Sequence, residues 1–411
     1  MTITRRQALW LPAALAAAPV RAAEAVRSDV FVAQTNGYFM YRIPGLAVTP
    51  QGTLLAYAEA RRTTGSDWDA IDIVIRRSTD RGATWSAQQV IGAVPGITSK
   101  NPAYQSRRTE APPGLTYNNP VAIPDRKKGL VHFVYCVEYM RAFYLRSKDD
   151  GRTFSQPVEI TSAFEGFRAA YNWKVLATGP GHGIQHKNGR LVVPVWLSTA
   201  DGANAHHPSV AATIYSDDRG ATWHASEIAI PHDGNTVNPS ETVAEQLADG
   251  RVMLNSRTES ASNRRVIVTS ADGATKWSKP RFQEELVEPV CFGSLVRHGK
   301  ASARGPNRLL FVNPDNLMRG GAPGEPGKGR DRKNLTVQLS EDDGATWKVK
   351  RVIDAGYSGY ADINVGPKGD IYVLYERGRE DPKPPRIGAL TLVRFPLEWV
   401  QQGQHAERTQ P

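Results

Sequence analysis

One short pattern recurs five times along the chain, and it constrains the fold more than any other feature. Its form is S-x-D-x-G-x-T-W. Ser78, Asp80, Gly82, Thr84 and Trp85 spell one copy, and Ser147, Asp149, Gly151, Thr153 and Phe154 repeat it with Phe for Trp. Ser216 to Trp223 and Ser340 to Trp347 are full copies, whereas Ser270, Asp272, Gly273, Thr275 and Trp277 form a degenerate one. Successive serines fall 69, 69, 54 and 70 residues apart. The chemistry is that of a β-hairpin turn. The Asp carboxylate accepts bonds from turn N–H groups, Gly supplies a positive φ, and the aromatic residue packs back on the hairpin.

A strand-like run precedes each copy: 71–75, 143–145, 211–215, 266–268 and 335–339. Segments such as 89–91 and 349–353 read as return strands. No long amphipathic helix pattern competes with them. A four-stranded unit of roughly 40–50 residues is the size of a propeller blade. The expectation is an all-β, six-bladed β-propeller over residues 30–398, with about 61 residues per blade. Five turns mark five blades, and the sixth closes the ring with both chain ends. A β-helix or sandwich using the same turn is the competing architecture.

Outside that body, Arg5 and Arg6 precede an apolar run from Ala8 to Pro19 and the small residues Ala22, Ala23 and Ala25. This order reads as an export signal of twin-arginine type over residues 1–25. The run is too short to span a bilayer, which needs about 20 apolar residues. Residues 399–411 read as a polar tail. The reading is an exported protein, periplasmic or secreted. Two cysteines, Cys136 and Cys291, exclude a disulfide framework and leave either one bridge or two free thiols. The formal charge is +10. Such a balance admits nucleic acid, a membrane surface or an acidic substrate as partner.

The turns resemble the Asp boxes of the sialidase superfamily. Tyr41, Arg42, Ile43 and Pro44 resemble that family's F/Y-R-I-P signature, and the resemblance continues in order along nearly the whole body. It implies a propeller with its active site at the central mouth. It also implies three arginines gripping a substrate carboxylate: Arg42, Arg257 and Arg332, the last with Arg330 as a near competitor. Arginine suits the task because its planar fork pairs with a carboxylate in bidentate geometry. Glu376 matches the glutamate that orients the first arginine.

The resemblance further makes Tyr360 the nucleophile and Glu241 its partner, with Tyr357 and Glu245 as nearby competitors. The anomeric carbon of a 2-keto sugar acid bears a carboxylate, which would repel an anionic nucleophile. A neutral phenol approaches without that repulsion, and Glu241 can take its proton. Asp67 matches the acid/base, chosen over Asp69, which reads as surface, and Asp72, which reads as structural. Arg61 matches a residue near the sugar's 4-hydroxyl and acetamido side. Asn119 stands where the family often has Asp, which leaves the exact sugar open. The Gly179–Gln185 stretch is not a dinucleotide loop, because a β run follows it. His182 within it either lines the pocket or packs.

No phosphate-binding loop or zinc-ligand spacing is present, and the proposed chemistry requires no cofactor or metal. His206, His207 and His232 fall in loop-like segments without ligand spacing. The basic stretch 328–333 lacks interleaved aromatics, so the expectation is no nucleic-acid and no membrane partner. Three functions stay open. One is an exo-α-sialidase acting on sialylated glycans. Another is a same-site glycosidase acting on a deaminated or Kdo-type sugar acid. The third is a sialoglycan-binding propeller without turnover.

Overall fold

The computed structural model describes residues 24–105, 114–126, 129–202, 204–301, 305–379, 381 and 384–405. The expected export signal lies almost wholly outside them, as do the last six residues. Strand accounts for 47% and helix for 4% of the described residues, so the all-β expectation holds.

The strands form antiparallel meanders in chain order. Met40–Val48, Leu54–Arg61, Ile71–Ser78 and Gln89–Ile91 make the first sheet. Tyr117–Pro124, Val131–Val137, Arg141–Ser147 and Val158–Glu159 make the second, with Gly181–His182 added in parallel to its first strand. Val175–Thr178, Leu191–Ser198, Ser209–Ser216 and His224–Ala225 form the third, and Ile184–Gln185 also pairs with Leu191–Ser198. The fourth runs through Thr242–Gln246, Val252–Ser256, Arg264–Ser270 and Arg281–Val287. The rest is a two-stranded ribbon, Met318–Arg319 with Ala322–Pro323, and one eight-stranded sheet. Its long strand Val349–Val365 pairs through its first half with Lys333–Ser340 and through its second half with Ile371–Gly378.

The inner strands are rich in β-branched and aromatic residues and are buried on both faces. Leu54–Arg61, Val131–Val137 and Leu191–Ser198 have every residue buried. Such continuous burial means that each sheet is sandwiched between neighbours. Tyr57, Ile73 and Ile75 of the first sheet, for example, pack on Phe133, Tyr135 and Val137 of the second.

The repeated turns behave as their chemistry dictates. In the first, Asp80 accepts from Thr84 N at 2.9 Å and from the Ser78 hydroxyl at 2.7 Å, and that hydroxyl accepts from Gly82 N at 2.9 Å. The Asp149, Asp218 and Asp342 turns repeat the contact to the Thr N–H at 2.8–2.9 Å. Gly82 sits at φ +85°, where a side chain is strained.

Two boundaries differ from expectation. The N-terminal strand begins at Val26 rather than near residue 30, and pairs with Ile387–Phe395 at the far end of the chain. The packed chain also runs past residue 398. The short helix Leu397–Gln401 buries Trp399 and Val400, and Gln404–His405 pairs with Val349–Val365. The apolar side chains at 399 and 400 explain why this segment is not a free tail. Both cysteines are buried and free.

Candidate active site

Tyr360 lies where the long strand Val349–Val365 changes partners, beside the bulge between Ser358 and Ala361. Its side chain is buried, with 5% of its surface exposed. The phenol donates a short hydrogen bond to Glu241 Oε1 and accepts one from Arg257 Nη1 at 2.9 Å. Arg257 Nη1 also holds Glu241 Oε2 at 2.6 Å. Arg42 and Arg332 place their guanidinium carbons 5.3 and 5.2 Å from the centre of the Tyr360 ring. Three arginines from distant parts of the chain thus converge on one tyrosine.

Three like charges this close need anions nearby. Glu376 supplies one and is fully buried. It accepts from Arg42 Nε at 3.0 Å, Ile43 N at 3.1 Å and Tyr360 N at 3.0 Å. One carboxylate therefore ties the strand of the first arginine to the backbone of the tyrosine. Gly359 makes this approach feasible, since a Cβ there would stand 2.0 Å from Glu376 Oε2. Glu241 supplies the second anion.

Backbone geometry aims the arginines. The strand carrying Arg42 bulges between Arg42 and Gly45, and Ile43 takes φ +54°. Gly45 is needed there, because a Cβ would fall 1.9 Å from the Tyr57 ring. Val290 takes φ +62°, and its carbonyl accepts Arg332 Nη2 at 3.1 Å. Both are β-branched residues in the left-handed region, a strain of about 1–3 kcal/mol each that clusters at functional sites. Behind Val290, the fully buried Glu288 accepts from Cys291 N at 2.9 Å and pairs with the fully buried Arg265.

Asp67 stands on the rim with 43% of its side chain exposed. Its Oδ1 lies 2.8 Å from Arg61 Nη2 and 3.5 Å from Arg42 Nη1. Arg61 is fully buried and also pairs with Glu59 Oε2 at 2.7 Å. Glu59 Oε1 in turn accepts Asn119 N at 2.9 Å. Asn119 is buried at φ +53°, behind the Arg61 pair.

Electrostatics follow from this arrangement. Burial pushes the Tyr360 phenol well above its usual range, and Glu241 adds to that, while Arg257, Arg332 and Arg42 oppose it. The Tyr360 side chain is therefore a neutral phenol. Partial burial would raise Asp67, but the Arg61 and Arg42 guanidiniums outweigh it and hold the carboxyl far below the usual range. Arg42, Arg257 and Arg332 are all held charged by their neighbours against the opposing effect of burial.

Arg42, Arg61, Asp67, Asn119, Glu241, Arg257, Arg332, Tyr360 and Glu376 form one linked constellation, in which Asn119 joins through Glu59. The competitors make other contacts. Arg330 bonds Asn263 at 2.9 Å. Glu245 receives Arg297 N at 2.7 Å. Tyr357 stacks on Arg386 at 3.8 Å. Asp72 takes the Tyr38 hydroxyl at 2.6 Å and is structural. Asp69 is not a surface residue, because its carboxylate is buried and caps Thr63 and Thr64. His182 pairs with Asp362 at 2.8 Å.

One site residue is unmarked in the sequence. His206 lines a cavity of about 160 Å³ beside Glu241 and Arg257, packed among Trp68, Tyr139 and Trp196. Burial pushes it down to about 4, against the pull of Asp67. Its place is set by long-range packing, which leaves no local signature.

Residues 52–373 match the family of BNR repeat-like domains. The chain belongs to the sialidase family with BNR repeats. It is 30% identical over 397 residues to a sialidase of Micromonospora viridifaciens, covering 90% of this chain. It spans only 54% of that relative's own length. Among solved structures, a Hadza microbial sialidase superposes with a TM-score of 0.69 at 24% identity, covering 91% of this chain and 69% of the other. The Trypanosoma rangeli sialidase with 2,3-difluorosialic acid, a covalent intermediate, gives 0.65 at 21% identity, covering 90% and 58%. The sialidase fold is thus shared along nearly the whole chain.

Proposed function

We propose that this chain is an exo-α-sialidase, releasing terminal sialic acid from glycoconjugates with retention of anomeric configuration. The observation that carries the reading is the Tyr360 hydroxyl held between Glu241 and Arg257, with Arg42 and Arg332 over the same ring. The arginines grip the substrate carboxylate, which brings C2 of the sugar to the phenol oxygen. Asp67 protonates the leaving glycosidic oxygen while Tyr360 attacks C2 and gives its proton to Glu241. Asp67, now a carboxylate, then takes a proton from water. That water attacks C2, the Tyr360–C2 bond breaks, and Glu241 returns the proton. Two inversions at C2 give retention.

A neutral tyrosine beside a carboxylate base is the arrangement this chemistry calls for, because the electrophile carries its own negative charge. The architecture fits the same reading. We infer six four-stranded blades: four separate sheets and two halves joined through Val349–Val365, with Val26–Val32 closing against Ile387–Phe395. The arginine-rich N-terminus supports export, and the substrate would be an extracellular or periplasmic sialoglycan.

A second reading rests on Asn119. Where an Asp would carry charge, a neutral amide stands behind Arg61, so a deaminated or Kdo-type sugar acid is the alternative substrate. Proton NMR of reactions with N-acetylneuraminic, deaminated and Kdo-type glycosides separates the two. Fastest release of N-acetylneuraminic acid, first as its α-anomer, supports the sialidase reading. Inactivity on all three refutes both readings and favours a binding module.

A further inference from the structure

The proposed acid, Asp67, poses a difficulty that the geometry around it resolves. To protonate a leaving group it must carry a proton, yet it lies 2.8 Å from Arg61 and 3.5 Å from Arg42. Two guanidiniums favour its carboxylate form. They differ in what else they do. Arg61 is fully buried and already committed to Glu59. Arg42 is 14% exposed and faces the mouth, with Nε and Nη2 on Glu376 and Nη1 turned to Asp67. Arg42 is also an arginine assigned to the substrate carboxylate.

We propose that Arg42 couples occupancy of the carboxylate subsite to protonation of Asp67. Arg42 Nη1 pairs with Asp67 at 3.5 Å. The arriving sugar carboxylate takes that guanidinium edge and brings a second negative charge close to Asp67. Asp67 then retains Arg61 alone, opposed by the new anion, and takes up one proton from solvent. No other bond changes. The acid is thus armed only when a carboxylate-bearing ligand is seated, which keeps the free enzyme's Asp67 ionised. Other groups facing Asp67 are His206 from the loop beyond Leu191–Ser198, Glu59 from its own sheet, and the Tyr139 phenol. Of these, His206 lines the adjoining cavity and is the alternative proton acceptor that the test must separate from Asp67.

The inference rests on the sialidase reading and deepens it. Its test is isothermal titration calorimetry with 2-deoxy-2,3-didehydro-N-acetylneuraminic acid, a ligand that is not hydrolysed. Binding is measured near pH 5.5 in buffers of different ionisation enthalpy, which yields the protons taken up per site. A carboxyl whose bound-state pKa equals the assay pH takes up ~0.5 proton, and more if it lies higher. The expected result is such an uptake, lost in Asp67→Asn, retained in His206→Asn, and absent with the ligand's methyl ester. Circular dichroism of each variant checks folding. Tight binding without uptake overturns the coupling while leaving the substrate reading standing, as does an uptake unchanged in Asp67→Asn. Absence of binding by the folded parent overturns both.

Discussion

Replacing Glu376 by Gln tests how the site is held together. Glu376 is fully buried and takes Arg42 Nε at 3.0 Å, Arg42 Nη2 at 3.4 Å, Ile43 N at 3.1 Å and Tyr360 N at 3.0 Å. Gln keeps the shape and one acceptor oxygen, which can serve Arg42 Nε and Ile43 N. Its amide nitrogen then faces Tyr360 N and Arg42 Nη2, donors against a donor. The Arg42 charge also loses its buried partner. Breaking a buried pair costs roughly 3–5 kcal/mol. Asp67, 3.5 Å away, rebalances part of this charge, so ~3 kcal/mol is expected. An unfolding entropy of about 2.1 cal/mol/K per residue gives ~0.8 kcal/mol/K for a body of this size, so Tm should fall by ~4 °C. Loss of aligned charge-assisted hydrogen bonds to the substrate carboxylate should raise KM by ~10- to 100-fold. Scanning calorimetry and initial rates on a fluorogenic sialoside read both. A Tm within about 1 °C of the parent together with an unchanged KM would refute the assignment of Glu376 as the buried anchor.

Further outcomes follow from the same geometry. Tyr360→Phe removes the phenol but leaves Glu241 and Arg257 paired at 2.6 Å; stability should change by no more than ~1 kcal/mol while turnover falls ~10³-fold or more, as thermal melts and rate assays will show. His182 is raised by Asp362, which outweighs the opposing effect of its burial. Its contribution is therefore fully present below the unfolded pKa of about 6.5 and is lost as pH rises through the higher folded value. The Tm gap between the parent and His182→Gln should accordingly narrow between pH 6 and 9, and a constant gap would count against a charged pair. In the turns, Thr84 and Ser78 hold Asp80 down to about 2, and Thr153 and Thr222 do the same for Asp149 and Asp218 despite opposing partial burial. That stability is present above the unfolded carboxyl pKa of about 3.9 and is lost as pH falls through the folded values. Acid unfolding followed by tryptophan fluorescence should begin below about pH 4 and move to higher pH in an Asp80→Ala, Asp218→Ala double variant.

Much of the fold was legible because its signal is local and repeated. A turn such as Ser78 to Trp85 closes on itself, so its hydrogen bonds are written in eight consecutive residues. The arginine triad was legible through motif context rather than position, since Arg42 and Arg332 are nearly 300 residues apart yet flank one ring. What escaped depends on contacts that no short window contains. Asp69 is buried because Thr63 and Thr64 wrap its carboxylate. His206 enters the site because three aromatic rings from other segments hold it there. Val290 aims a carbonyl at Arg332 from a left-handed backbone, anchored through the buried Arg265–Glu288 pair. At the C-terminus the stretch is polar on average, and only Trp399 and Val400, buried by the short helix, hold it to the body.

The proposed attack of Tyr360 on the anomeric carbon is open to chemical trapping. The most direct measurement is mass spectrometry of the protein after reaction with a 2,3-difluorosialic acid, whose fluorine at C3 slows breakdown of a glycosyl-enzyme adduct. One fluorosialyl adduct per chain is expected, mapped by proteolysis to Tyr360 and absent from Tyr360→Phe. An adduct on Glu241 or Asp67, or normal turnover by Tyr360→Phe, would contradict it.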